Sequence, residues 1–343
     1  MILRKILLAA LVVVSGSAIY YWPLLSYAAG QGWGQWKIIR NARPVEEFLS
    51  DPAFPDSLKK KLYLIQSARK YAIDSLHLND TENYTTLYDQ KGQELMWVVI
   101  ACEPFRLIEK RWDFPVIGSV PYKGFFNREK AIKEREGLEK EGWDVSIRNP
   151  GGWSTLGWFT DPILSGMLRR SDGDLASLII HEMVHATIYV RDSSEFNENL
   201  ASFIGDRAAE KFLASTLGDT AKQYNTYLHE DGDYRKVAEH MLRATGKLDS
   251  LYSTMKDSDP VEVRKKLKEA MIRKIIDAMD TITFSDGRKP SRRFAGRLPN
   301  NTYFISFKTY ESKHDYMKDE WINHYHGDLK AMIEDYRKKY PSL

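Results

Sequence analysis

Residues 178–205 read LIIHEMVHATIYVRDSSEFNENLASFIG. Leu178, Ile179 and Ile180 precede His181, Met183 and Val184 separate it from His185, and Ala186, Thr187 and Ile188 follow, so the stretch predicts a buried helix. Such a helix has to be covered on every side, and the rest of the chain is expected to fold around it. Its only ionisable groups are two histidines and Glu182. Residues four apart lie one turn from each other on one face, so both imidazoles can reach one metal ion while Glu182, about 100° round the helix, points beside it. This is the H-E-x-x-H spacing of zinc sites. A buried Glu182 with neither metal nor partner would be costly. Beyond His185, Asn197-Glu198-Asn199-Leu200-Ala201 offers a carboxylate near the start of a second helix. That carboxylate could complete a His/His/Glu set and leave a fourth position open to water. Glu195 is the alternative third ligand. Glu198 is preferred because it leads directly into Ala201, Ser202, Gly205, Ala208 and Ala209, a small-residue face suited to packing closely on the first helix.

At 343 residues with 43% hydrophobic content, the chain can bury one large core or two modest ones, and one catalytic domain with an appendage is expected. The net charge of +3 is spread through mixed acid and base, without a basic stripe interleaved with aromatics, so no nucleic-acid partner is expected. Cys102 is the single cysteine; it lies in an apolar run, reads as a buried strand residue and permits no intrachain disulfide.

After Arg4 and Lys5 no charged residue occurs until Lys37, and residues 6–25 are long enough to cross a bilayer if Pro23 lies near the outer end. Tyr20-Tyr21-Trp22 resembles an interfacial aromatic belt, which favours an uncleaved membrane anchor over a signal peptide cut near Gly16 and Ala18. The positive flank would hold the N terminus inside and place the catalytic body outside the cytoplasm, in the periplasm at the inner membrane if the source is bacterial.

Apolar residues at helical steps, Leu58, Leu62, Ile65, Ala68, Ala72 and Ile73, predict a scaffold helix within residues 45–78. Strands are expected at 97–102, 114–120 and 145–147, and a charged helix at 129–141. Pro150-Gly151-Gly152 makes a turn, after which Trp153, Ser154, Thr155, Leu156, Gly157, Trp158 and Phe159 form an extended segment that could lie beside the metal and offer its edge to a peptide substrate. Ser171 and Asp174 make a capping start for the metal helix. Beyond about residue 210 the chain is expected to be mostly helical, over 221–245, 260–281 and 320–340. His77, His229, His240, His314, His324 and His326 carry no ligand spacing, and 288–297 reads as a basic connector.

In these residues the chain resembles a known family, the bacterial predicted zinc aminopeptidases of the zincin type with a glutamate third ligand, often membrane-anchored through a lipid-modified N terminus. The similar motifs run from Tyr27-Ala28-Ala29-Gly30-Gln31 through Phe114-Pro115-Val116-Ile117-Gly118, Pro121-Tyr122-Lys123-Gly124-Phe125-Phe126 and Ser154-Thr155-Leu156-Gly157-Trp158-Phe159 to Phe196-Asn197-Glu198. An Asn-Asn pair at about Asn300-Asn301 belongs to the same likeness. The resemblance implies that His181, His185 and Glu198 hold one zinc ion and that Glu182 is the base. Two departures stand out. Many members carry cysteines where this chain has Asp113 and Ser119, which removes a disulfide, and the lipid-accepting cysteine near the N terminus is absent, which favours a transmembrane anchor.

The expected architecture is therefore α+β: a zincin-like metallopeptidase domain over residues 31–343 with a small mixed sheet and a mainly helical C-terminal part, preceded by an anchor over residues 1–30 that contains a transmembrane helix. The expected activity is zinc-dependent hydrolysis of peptides or proteins, with Glu182 accepting a proton from water and passing it to the leaving amine. For the oxyanion donor Tyr189, Tyr303 and Tyr310 qualify by chemistry, and Tyr303 is preferred because it follows Asn300-Asn301, themselves expected with residues 153–158 to bind substrate. An aminopeptidase also needs a carboxylate for the substrate's α-ammonium; Asp161 and Glu103 are the acids nearest the expected strands. The alternatives are a zinc endopeptidase of the same fold, hydrolysis of a non-peptide amide, and a non-catalytic envelope binding or assembly factor. An open fourth metal position favours catalysis, since structural zinc is usually closed by four protein ligands.

Overall fold

The computed structural model describes residues 2–114, 118–150 and 160–340, and the fold is α+β, mostly helical with small sheets. Helix α1 (Ile2–Asn41) is a single continuous element whose C-terminal half is fastened to the body. The Tyr27 hydroxyl and Gln31 Nε2 both donate to the Gly124 carbonyl, at 2.9 and 2.8 Å, and Ile38 is fully enclosed in the main core. A side chain at Gly34 would collide with the Phe126 ring, so this glycine lets the helix lie flat on the body. The expected transmembrane helix at residues 6–25 is corrected: among the described residues no helix is long and apolar enough to cross a membrane. The unbroken apolar run, residues 6–14, ends at Ser15-Gly16-Ser17 and is followed by Tyr20-Tyr21-Trp22-Pro23, leaving roughly half of the 20 apolar residues that a span requires.

The strands are short: β1 (Arg43–Pro44), β2 (Thr86–Tyr88), β3 (Trp97–Cys102), β4 (Trp112–Phe114), β5 (Gly118–Val120), β6 (Lys123–Phe125), β7 (Asp144–Arg148) and β8 (Ile163–Leu164). They form a mixed sheet β1-β2-β8, an antiparallel sheet β6-β3-β7 and the pair β4-β5. In the antiparallel sheet Val99 faces Ile147 and Cys102, fully buried, faces Asp144. Residues 115–117, part of the apolar run read as one strand, lie outside the described residues.

Between the strands run α2 (Val45–Ser50), α3 (Asp56–Asp74) and α4 (Arg128–Lys140). The three- and four-residue repeat in α3 buries Leu62, Ile65, Ala68 and Ala72. Asn127 caps α4, accepting from the Lys130 N–H at 2.9 Å, and the helix lays Ala131 and Leu138 against Val99, Ala101, Phe125 and Val145 of the antiparallel sheet.

The remaining helices are α5 (Asp172–His185), α6 (Ser194–Leu217), α7 (Lys222–Ser253), α8 (Val261–Ala278), α9 (Asn301–Glu311), α10 (His314–Asn323) and α11 (Leu329–Lys339). The main core gathers α3, α5, α6, α10 and α11 around Leu175, Ile179, Ile180, Met183 and Val184 of α5. Burial of each of these five contributes about 1.5–3 kcal/mol before the entropy of ordering is subtracted. A second core joins α7, α8 and α9 through Met241, Leu248, Ile272, Ile275, Ile276 and Phe304. The single helix expected across 320–340 is two. His326 and Gly327 take positive φ (51° and 78°), and the Asp328 side chain then starts α11 by accepting from the Ala331 N–H at 3.0 Å.

Candidate metal centre

The geometry of the centre begins at the ends of α5. Ser171 caps its start, with Oγ accepting from the Asp174 N–H at 3.3 Å, and Asp172 and Asp174 complement the helix dipole in the first turn. At the other end the Thr187 hydroxyl donates to the Met183 carbonyl at 2.8 Å, and Asn79 Nδ2 donates to the Ala186 carbonyl at 3.0 Å. These bonds satisfy terminal carbonyls and fix the turn that carries His185.

Helix α6 lies close against α5 because Gly205 has no side chain. A Cβ there would sit 2.9 Å from the Ser177 carbonyl oxygen and 3.2 Å from His181 Cβ. The connection between the helices is clamped by Asn197, whose Oδ1 accepts from the Val190 N–H and whose Nδ2 donates to the Val190 carbonyl, both at 2.8 Å. Glu198 follows directly and is delivered to the histidines. Its Oε2 lies 3.4 Å from His181 Nε2 and 3.6 Å from His185 Nε2, and the two Nε2 atoms are 3.1 Å apart. His181, His185 and Glu198 thus form a group that could hold one metal ion. Glu195 is employed elsewhere, accepting from the Ser312 hydroxyl at 3.1 Å and pairing with Lys313 at 3.3 Å.

Burial works to raise the Glu198 pKa, but the charge of His185 and hydrogen bonds to both histidines outweigh it and hold the carboxyl well below the usual range. His181 is affected in the opposite sense: burial disfavours its charge, and Glu198 together with Glu182 more than restores it. Glu182 is half-buried, and burial raises its pKa despite the two histidines. No hydrogen bond or ion pair engages its carboxylate among the described residues.

Asn199 builds the second wall. Its Nδ2 donates to the Thr309 carbonyl and its Oδ1 accepts from the Lys313 N–H, both at 2.7 Å, which ties the end of α9 to the start of α6. Tyr310 is thereby brought to the centre, where its hydroxyl accepts from Arg148 Nη2 at 3.2 Å. Burial and then the negative charge of Glu198 push the Tyr310 pKa up to about 12. Tyr122 is within the field of Glu198 and Tyr310, and its pKa too is raised. Tyr189 is raised by burial, by Asp192 and by Glu198.

Other expected site residues lie apart. Tyr303 packs edge-on against Phe294, Phe304 and Phe307 in the second core, with its hydroxyl enclosed and without a partner. The preference for it over Tyr310 is thus not matched by its position. The two share nearly the same face of α9 but stand almost two turns, about 10.5 Å, apart along it, so Tyr303 meets the second core while Tyr310 meets Arg148. Asn300 caps α9 and donates to the Val145 carbonyl at 2.9 Å. Asn301 donates to the Glu103 carbonyl at 2.8 Å and accepts from the Tyr252 hydroxyl at 2.7 Å. Both are used to fasten α9 to β7 and to the end of β3. Trp153, Ser154, Thr155, Leu156, Gly157 and Trp158 lie outside the described residues. Glu103 pairs with Arg106, and Asp161 is fully buried, its N–H donating to Asn83 Oδ1 at 2.9 Å.

Sequence reasoning missed Arg148, Tyr122 and Asn199. Tyr122 was visible within Pro121-Tyr122-Lys123-Gly124, and Asn199 within the Asn-Glu-Asn triplet; Arg148 gave no signal beyond ending a short strand. Comparisons with curated proteins and with solved structures return no match. A family model described as "Putative aminopeptidase" matches residues 26–339, most of the chain. The protein belongs to that family, a membership that supports a peptidase-like function on peptide substrates.

Proposed function

We propose that the protein is a zinc-dependent peptidase whose metal ligands are His181, His185 and Glu198. The observation that carries the reading is the spacing of the three donor atoms. Ligands about 2.05 Å from a tetrahedral zinc ion stand about 3.3 Å from one another, and the donor separations here are 3.1, 3.4 and 3.6 Å. Two imidazoles and one carboxylate are also the donor set that leaves a fourth position for water or substrate. Zinc bound there would supply a Lewis acid for the scissile carbonyl and lower the pKa of water.

Glu182 holds the proton. Its carboxylate is within the field of His181, His185 and Glu198, and its raised pKa suits a group that takes a proton from water and returns it to the departing amine nitrogen. Tyr310 replaces Tyr303 as the donor for the developing oxyanion, because its hydroxyl lies within the field of Glu198 and Glu182 whereas that of Tyr303 is enclosed in the second core. The aminopeptidase label concerns which end of the peptide is read, and the family description is what supports it.

The test pairs metal analysis with hydrolysis. The protein should hold about one zinc per chain and release single residues from peptides with free N termini, leaving N-acetylated peptides intact. Glu182→Gln should keep zinc and lose several orders of magnitude in kcat. Loss of zinc in that variant would make Glu182 a ligand, and internal cleavage of both peptide sets would make the protein an endopeptidase. Absence of cleavage with zinc bound would sink the catalytic reading.

A further inference from the structure

Arg148 carries a charge near the centre that no ion pair of the described residues engages. It ends β7 and reaches the centre by a chain of contacts: Glu198 precedes Asn199, Asn199 holds the Thr309 carbonyl, and Tyr310 meets the Arg148 guanidinium. A guanidinium carries five N–H donors. Among the described residues this one uses a single donor, in the 3.2 Å bond to the Tyr310 hydroxyl, and its carbon lies 5.6 Å from the centre of that ring. Its Nε is enclosed with no acceptor, and it makes no ion pair among the described residues.

Two other enclosed arginines are treated differently. Arg235 is shared by Asp206, Asp231 and Glu311, and Arg207 by Glu210 and Asp231. Both of these structural arginines are surrounded by carboxylates. An enclosed guanidinium left without one costs stability, and a fold retains it where a ligand supplies the missing anion. The planar fork of an arginine matches a carboxylate with two parallel N–H···O bonds. A cation at this place would also repel a substrate's α-ammonium, so the amino end has to lie on another side of the cleft.

The geometry points to an anion subsite, made by the Arg148 guanidinium next to Tyr310 and the group His181, His185 and Glu198, that binds a carboxylate of the substrate peptide. This rests on the peptidase reading and narrows it to peptides with a carboxylate near the scissile bond. Two sources share that chemistry: the free α-carboxylate of a short peptide, and the side chain of Asp or Glu.

Binding tests the subsite apart from turnover. Four peptides, Ala-Ala-Ala, Ala-Ala-Ala-amide, N-terminally free Ala-Glu-Ala-amide and Ala-Gln-Ala-amide, are titrated by calorimetry into the zinc-loaded full chain carrying Glu182→Gln, which leaves them uncut. At least one carboxylate-bearing member should bind tenfold or more tightly than its neutral partner, a difference of about 1.4 kcal/mol. The first pair reports the α-carboxylate and the second the side chain. Arg148→Gln added to this background should shrink the ratio below twofold, and Arg148→Lys should restore part of it. Equal binding of all four peptides, no binding of any, or a ratio that survives Arg148→Gln overturns the subsite. Hydrolysis by the chain with Glu182 intact is scored separately. Cleavage without carboxylate preference removes the subsite and leaves the peptidase, whereas carboxylate preference in binding without cleavage of any peptide leaves the subsite and removes the peptidase.

Discussion

Replacing Gly205 by alanine probes how the centre is assembled without touching a ligand. The new Cβ would lie 2.9 Å from the Ser177 carbonyl oxygen, 3.2 Å from His181 Cβ and 3.3 Å from the His181 nitrogen, all on α5 and mostly backbone. Backbone cannot swing aside, so α6 must retreat by about 0.5 Å to reach an ordinary contact. Overpacking of this kind costs about 1–3 kcal/mol, while exchanging glycine for alanine within a helix returns about 1 kcal/mol. The net loss of stability is about 0–2 kcal/mol. The metal responds more sharply. Zinc–ligand distances hold to within about 0.2 Å, and Glu198 rides on the helix that moves while both histidines stay on the other. Zinc affinity should fall about 10–100-fold, the range seen when the support of a ligand is disturbed. The assay is chelator competition for zinc together with thermal unfolding of the metal-free chain. Gly137→Ala serves as control, since Gly137 is exposed within α4 with nothing within 4 Å of its Cβ position, and it should gain up to about 1 kcal/mol. If Gly205→Ala matched that gain and kept its zinc affinity, the close approach of α5 and α6 would not be what sets the centre.

His181→Ala, His185→Ala and Glu198→Ala should each lower zinc affinity in the same competition assay, because three donors share one ion; unchanged affinity in all three would refute the assignment. Tyr310→Phe should lower kcat about 100-fold with zinc retained, and Tyr303→Phe should leave kcat within a few fold. Asn199→Ala removes the clasp on Thr309 and Lys313 and should reduce kcat more than zinc affinity, since it positions Tyr310 and ligates nothing. Acid sensitivity is expected from His314, whose pKa is pushed down to about 4 by burial and then by the charge of Arg235. A folded pKa below the unfolded value of about 6.5 means that the unfolded chain binds more protons between them, so the stabilising contribution is complete above pH 6.5 and is lost as pH falls through 4. After allowance for partial solvent screening it amounts to about 1–2 kcal/mol, and urea unfolding of His314→Gln from pH 7.5 to 4 should show a correspondingly flatter profile.

How far the sequence announces this molecule depends on the range of the interactions. His181, Glu182 and His185 are legible because a helix converts their spacing directly into a face, and the small residues after Glu198 announce the close helix pair because Gly205 has only one use there. The α+β class follows from short β-type runs among long amphipathic segments. Tyr303 and Tyr310 are indistinguishable at that level, since the choice between them is made by Asn199 reaching from α6 to the Thr309 carbonyl. The break in the 320–340 helix turns on the positive φ of His326 and Gly327, which local propensity leaves open for histidine. The N-terminal segment misleads for a related reason. An apolar run reads as a span when it is taken alone, while the docking of its second half through Tyr27, Gln31 and Ile38 depends on Gly124 and Phe126, some 90 residues away.

The C-terminal helices, by composition only solvated packing, take part in the site through charge. Arg235 on α7 joins Asp206 of α6 to Glu311 of α9, and the Tyr234 hydroxyl donates to Glu311 at 2.8 Å. Asp206 also accepts from the Ser177 hydroxyl of α5 at 2.9 Å. Glu311 is the residue after Tyr310, so the C-terminal end of α9 is held to α6 twice, by the Asn199 clasp and through Arg235. Removing one member of such an enclosed ion group typically costs 3–5 kcal/mol, because its partners are left buried and uncompensated. That cost is what keeps the wall bearing Tyr310 and Arg148 in register with the helix bearing Glu198. Asn300 and Asn301 hold the start of α9 to the sheet, and these two fastenings hold its end to two different points on α6. A polar network that contributes little net stability therefore still has a function here, in holding the tyrosine hydroxyl and the guanidinium where a substrate at the metal centre would meet them.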